Sequence, residues 1–195
     1  NGSKLRVLNG HSERVTGIEW SPDGTKIATS SLDHTAIIWS AIDGSNLMTL
    51  KGHSSYINSI KWSPDGTKLI TASLDETAII WSVTDSIPLF TLRGHALGLW
   101  SARWSPDGTK VATASNDKTA ALWSAVDGTN IQTITVHTGI VHAVEWSPDG
   151  TKLATSSVDG SVIVWSVKTG KKLFTLHENS AVGDIQWSPD GTKLA

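Results

Sequence analysis

Short runs rich in β-branched and apolar residues, separated by turn-forming residues, make up nearly all of this chain. Residues 14–20, RVTGIEW, end in SPDG, whose Pro and Asp-Gly suit a tight turn. KIATSS follows, so the pair is predicted to form a β-hairpin. Leu32-Asp33-His34 makes a second turn before a third strand, TAIIWS, and Asp43-Gly44 makes a third turn before a fourth, NLMTL. No stretch has a helical period, which excludes arrays of paired helices. The consecutive apolar residues Ala36-Ile37-Ile38-Trp39 require cover on both faces of the sheet, and stacking small sheets face to face provides it. The pattern therefore predicts an all-β fold, a β-propeller of four-stranded antiparallel blades.

That unit recurs. WSPDGTK begins at Trp20, Trp62, Trp104, Trp146 and Trp187, and a second Trp followed by Ser stands at Trp39, Trp81, Trp123 and Trp165. The interval is constant from Trp20 to Trp146 and shortens by one at the last copy. A fixed period of this size means supersecondary units stacked in an array. It also explains a composition of ten Trp against two Phe and one Tyr, because only Trp100 stands outside the repeat.

Sixteen Lys and Arg balance eighteen Asp and Glu, which argues against nucleic acid or an anionic membrane as partner. The absence of Cys excludes a disulfide framework, thiolate metal sites and a cysteine nucleophile. No apolar run reaches the ~18 residues of a membrane span and no signal-like N terminus is visible. The chain is expected to be cytoplasmic.

Gly-His, then Ser-x-Asp, then Trp, at a period near 42, resembles the WD-repeat propeller family over essentially the whole chain. The resemblance implies a hydrogen-bonded tetrad of loop His, strand hydroxyl, turn Asp and strand Trp. It carries over to His11, Asp33 and Trp39; to His53, Asp75 and Trp81; to His95, Asp117 and Trp123; and to His137, Asp159 and Trp165. The hydroxyl belongs either to the Thr29, Thr71, Thr113, Thr155 series or to the Ser31, Ser73, Ser115, Ser157 series. Three departures stand out. Ser40, Ser82, Ser124 and Ser166 replace the family's eponymous Asp, Val136 replaces the Gly before His137, and His177 falls out of register with the tetrad histidines.

With strands lettered a to d from the channel outward, four blades are expected at about 14–50, 56–92, 98–135 and 140–176, then a partial fifth at 181–195 with its d strand supplied by residues 4–8. By repeat phase that fifth blade lacks most of strand b and all of strand c. The chain therefore reads as a fragment of a larger propeller, with self-association through open blade edges as one outcome.

Hydrolytic triads and a metal site are both disfavoured. Each His, Ser and Asp series comes in four copies where a catalytic site needs one, and four His on four blades lie too far apart for one ion. No catalytic residue, metal or cofactor is expected. The Lys of each SPDGTK turn is expected to be cancelled by the Asp of the same turn. Positions that vary while the scaffold repeats are the binding candidates: Arg14, Tyr56, Trp100 and His142 at the start of strand a, and Leu32, Leu74, Asn116 and Val158 before the turn Asp. The resemblance implies that these loops open on the face that holds peptides and partner proteins, so the expected function is a non-catalytic scaffold, with the sensor or scaffold region of a larger signalling protein as its expected setting. The alternatives are a propeller with a small-molecule or enzymatic site at its channel mouth, and an amplified or engineered array without an evolved ligand.

Overall fold

The computed structural model describes residues 6–135 and 137–195. Among them are sixteen strands and no helix, arranged as four separate four-stranded antiparallel sheets with strands in sequence order. The first sheet comprises β1 (Val15–Trp20), β2 (Lys26–Ser31), β3 (Thr35–Ser40) and β4 (Asn46–Lys51). The second comprises β5 (Ile57–Trp62), β6 (Lys68–Ser73), β7 (Ala78–Ser82) and β8 (Pro88–Leu92). The third comprises β9 (Leu99–Trp104), β10 (Lys110–Ser115), β11 (Ala120–Ser124) and β12 (Asn130–Ile134), and the fourth β13 (Val141–Trp146), β14 (Lys152–Ser157), β15 (Ser161–Ser166) and β16 (Lys172–His177). The inner strands β1, β5, β9 and β13 lie side by side in that order, and the set does not close into a ring.

The SPDGT turn explains why β1 ends where it does. Asp23 accepts from the Ser21 hydroxyl at 2.6 Å and from the Thr25 main-chain N–H at 3.0 Å, while Gly24 takes φ 68°. Hydrogen bonds from Ser21 first, then from the Thr25 main chain and hydroxyl, hold the Asp23 carboxyl at about 2, with Lys26 a minor cause. No ion pair joins Lys26 to Asp23 among the described residues. The Asp is occupied in closing its turn, and the cancellation expected from spacing is long-range only.

The core lies between the sheets. Ile38 and Leu50 of the first sheet pack with Ile57, Ile60, Leu69 and Trp81 of the second, and the same arrangement joins second to third and third to fourth. A second link crosses each boundary. The indole N–H of Trp62 donates to Glu19 O at 3.3 Å, Trp104 to Lys61 O at 3.2 Å, Trp146 to Arg103 O at 3.2 Å and Trp187 to Glu145 O at 3.2 Å. Trp20, with no inner strand before it among the described residues, is 58% exposed, against 7% for Trp62.

The two ends differ from expectation. Residues 181–187 do not form a strand. A single bridge joins Trp187 to Leu194. Ile185 is nonetheless buried against Ala143, Ala154 and Val164, so the segment covers the fourth sheet as an inner strand would. Of the d strand expected at 4–8, residues 4 and 5 lie outside the described residues and 6–8 are not strand. Arg6 and Leu8 pack over the Gly44 turn just as Phe90 packs over Gly128, so the segment holds the position of an outer strand without its hydrogen bonds.

Candidate functional site

Each blade carries a buried polar network built from four separate places in its repeat. In the first, the loop before β1 supplies His11, β2 supplies Thr29, the β2–β3 turn supplies Asp33 and β3 supplies Trp39. A carboxylate can only accept, so His11 Nδ1 carries the proton it donates to Asp33 Oδ2 at 2.9 Å. Nε2 is then an acceptor for the Thr29 hydroxyl at 2.8 Å, and the same oxygen accepts the Trp39 indole N–H at 2.8 Å. Thr71 and Thr113 hold the same place between His53 and Trp81 and between His95 and Trp123.

This decides between the two hydroxyl series left open by the sequence. Thr29 and Ser31 share one face of β2, with Ser30 between them on the other side of the pleat. Thr29 lies within reach of both His11 and Trp39. Ser31 sits at the strand end, where it donates to Glu13 O and accepts the Asp33 N–H. Ser73, Ser115 and Ser157 accept the turn N–H in the same way.

A further hydroxyl takes part that the sequence reading did not single out. Thr35, Thr77, Thr119 and Ser161 each donate to the second carboxylate oxygen, at 2.6, 2.6, 2.6 and 2.5 Å. The signal was present as Asp-x-Thr or Asp-x-Ser in every copy. With so many donors, the turn carboxylates are strongly acidic. Burial works to raise Asp33, but Thr35, His11 and two main-chain N–H groups outweigh it and hold it at about 2. Asp75, Asp117 and Asp159 are lowered against the same opposition from burial.

The fourth network differs. His137 Nδ1 donates to Ser161 Oγ at 2.9 Å and Asp159 stands off at 3.4 Å, while the Thr138 N–H donates to Asp159 at 2.7 Å, as the main-chain N–H after the His does in the other three blades. Burial pushes the His137 imidazole below its usual value, with Asp159 opposing. Val136 lies outside the described residues.

The varied positions line one edge of the blades. Arg14 is exposed and pairs through its main-chain carbonyl with the Leu32 N–H; Tyr56 pairs likewise with Leu74, and Ile140 with Val158. Tyr56 is 42% exposed, its ring 5.7 Å from that of His34. Trp100 is half-buried. Its indole donates to Asn116 Oδ1 at 2.6 Å and its ring stacks on His142 at 4.8 Å, so three of the candidates meet. Toward the channel, Arg103 Nε donates to Glu145 at 3.0 Å and Lys61 pairs with Glu19. Burial raises Glu145, with Arg103 opposing. His34, Glu76 and Lys118, each directly after its turn Asp, hold φ near 70° where the fourth copy has Gly160.

A family model for the WD domain, G-beta repeat, matches residues 2–40, 44–82, 86–124 and 128–166. Each matched unit after the first runs from the outer strand of one sheet through the first three strands of the next, so sequence repeat and blade are offset by one strand. Among curated proteins, 35 residues are 49% identical to an uncharacterized WD repeat-containing protein of Synechocystis, covering 18% of this chain and 2% of that one. A chromatin assembly factor 1 component of Gallus gallus is 41% identical over 44 residues, 23% of this chain and 8% of its own length. Ribosome assembly protein 4 of Chaetomium thermophilum is 44% identical over 45 residues, 23% of this chain and 9% of its own. The chain thus matches less than a tenth of the length of each of these relatives.

Proposed function

Because this chain belongs to the WD domain, G-beta repeat family, we propose that it is a non-catalytic scaffold that presents the loop edge of its blades to a protein or peptide. One observation carries the reading. The His, Asp and Thr of each network, the groups best suited to chemistry, are engaged in hydrogen bonds within their own blade, four times over. What is left to differ between blades is the edge bearing Arg14, Tyr56, Leu97 and Val158, all of them exposed. Trp and Tyr on such an edge are favoured interface anchors. Two relatives are named for assembly, of chromatin and of ribosomes, which agrees with protein partners. A cytoplasmic location belongs to the same reading.

Self-association is a second part of it. Val15, Ile18 and Trp20 are 49%, 63% and 58% exposed, where their counterparts Ile57, Ile60 and Trp62 are 1%, 3% and 7%. Leu176, on the last outer strand, is 45% exposed where Leu50 is 1%. These two faces are the halves of the packing already made between successive blades, so another copy offers each what it lacks.

The scaffold reading is tested by placing a photo-crosslinking amino acid at position 56, and separately at position 68 on the opposite edge, in cells making the protein. A discrete adduct from position 56 alone is expected. Adducts from position 68 with none from 56 would place the binding edge elsewhere.

A further inference from the structure

Each inner strand contains a one-residue β-bulge, and the four bulged residues are Thr16, Asn58, Trp100 and His142. A bulge takes a side chain out of the pleat's alternation and re-aims it. Three of the four use this to reach a main-chain carbonyl of the following inner segment: Thr16 to Ile57 O, Asn58 to Leu99 O at 2.8 Å and His142 to Gly183 O at 2.6 Å. Trp100 does not. Its indole turns back to Asn116 and its ring lies on His142, so between β9 and β13 an aromatic stack replaces the polar tie.

A cavity of about 340 Å³ opens at that place, between β5, β9, β13 and residues 183–184. Ser101 lines it. That residue is 6% exposed, and its hydroxyl is buried without a hydrogen-bond partner. Its counterpart in the preceding blade, Ser59, accepts from Arg103, and the counterpart in the next is Ala143. An unmet buried hydroxyl is unusual enough in a native fold to call for a partner.

The cavity's charges define that partner. Arg103 is matched by Glu145, and Lys61 beside it by Glu19, which leaves the Asp184 carboxylate as the surplus charge among the described residues lining the cavity. His142 donates its Nδ1–H to Gly183, so its Nε2 is left as an acceptor; Asn58, having donated its amide, keeps a carbonyl oxygen. Three acceptors, one of them an anion, stand beside an aromatic pair. The volume is at the small end of ligand pockets, about 300–1,000 Å³, which suits one side chain and not a large cofactor.

We propose that this cavity receives the cationic side chain of a peptide, lysine or arginine, with its ammonium or guanidinium hydrogens on Asp184, His142 Nε2, Asn58 Oδ1 and the Ser101 hydroxyl. The proposal rests on the scaffold reading and names the chemistry of its partner.

The test is a titration of the whole chain with N-acetyl-arginine methylamide, followed by the NMR resonance of the Trp100 indole N–H, assigned with Trp100→Phe. A saturable shift is expected, reproduced by the lysine analogue. The neutral isostere N-acetyl-citrulline methylamide and the variant Asp184→Asn are each expected to weaken binding about tenfold, the loss of one charge-assisted hydrogen bond. Asp184 is exposed, so its variant should keep the parent's melting temperature. No saturable shift, equal binding of arginine and citrulline, or full binding by Asp184→Asn would each overturn the proposal. A crosslinked partner at position 56 in the face of any of these results would leave the scaffold reading standing alone.

Discussion

Trp62 donates its indole N–H to the main-chain carbonyl of Glu19, tying the end of one inner strand to the strand before it at 3.3 Å. The carbonyl belongs to the backbone, so the bond forms whatever side chain occupies position 19, and it recurs with Lys61, Arg103 and Glu145 as acceptors. Blades are thus joined by a bond that sequence variation on the channel side does not disturb.

Trp104→Phe removes this bond and leaves Lys61 O without its indole donor at a buried boundary. The expected loss is about 1–3 kcal/mol by urea denaturation. Trp20→Phe, at an exposed position, should stay within about 0.5 kcal/mol. Equal losses would show that the indole acts through bulk alone.

The tetrads predict a second contrast. His53→Ala or Asp75→Ala strands the remaining buried partners, at about 1–3 kcal/mol each. Lys68→Ala, at the start of β6 beside the solvated turn, should change the melting temperature little. If all three variants melt alike, the network does not hold the loop to the turn.

Acid sensitivity follows from the same carboxylates. Asp33 titrates at about 2 in the fold and near 3.8 when unfolded, so its contribution is complete above about pH 4 and disappears as pH falls through 2. His137, held below 6.5 by burial, adds a loss in the same direction as pH falls below that value. Urea midpoints measured from pH 7 to pH 2 should fall most steeply below pH 4, and Asp33→Asn should flatten that segment. A variant with the parent's full slope would assign acid unfolding to other groups.

The second blade carries Ser86 at φ 59°, in the turn where Gly44, Gly128 and Gly170 stand in the other three. A side chain with a Cβ is strained there by roughly 1–2 kcal/mol, part of which Gly gives back as entropy of the unfolded chain. Ser86→Gly should therefore stabilise by about 0.5–1 kcal/mol, read from the shift in urea midpoint. A destabilised variant would mean that Ser86 makes a contact worth more than its strain.

Light scattering tests the open faces. The 20.8 kDa chain is expected to appear larger than a monomer at micromolar concentration, and Ile18→Lys to shift it toward the monomer. A parent that stays monomeric throughout removes self-association.

The sequence alone determined the strand count of each blade and the turns, because these depend on local chemistry repeated at a fixed interval; the tetrad residues came from the resemblance to the WD-repeat family, and in the fourth blade Asp159 stands off from His137. Asp-Gly makes its turn wherever it falls, and a Trp that returns at a constant spacing reports one structural position. It did not choose between Thr29 and Ser31, since both face the same side of β2 and only the third strand brings Trp39 beside one of them. It could not show the bulges that turn Trp100 and His142 together, because a bulge is a mismatch in length between two paired strands and has no mark in either one. Nor could it assign strand status at 181–187, where Ile185 packs as an inner strand should but finds too few hydrogen-bonding neighbours to become one. Local turns and periodic burial are properties of the chain's own residues. Which oxygen a buried indole meets, and which side chains share a cavity, depends on strands a whole repeat apart arriving at one place, and that was left to the tertiary structure.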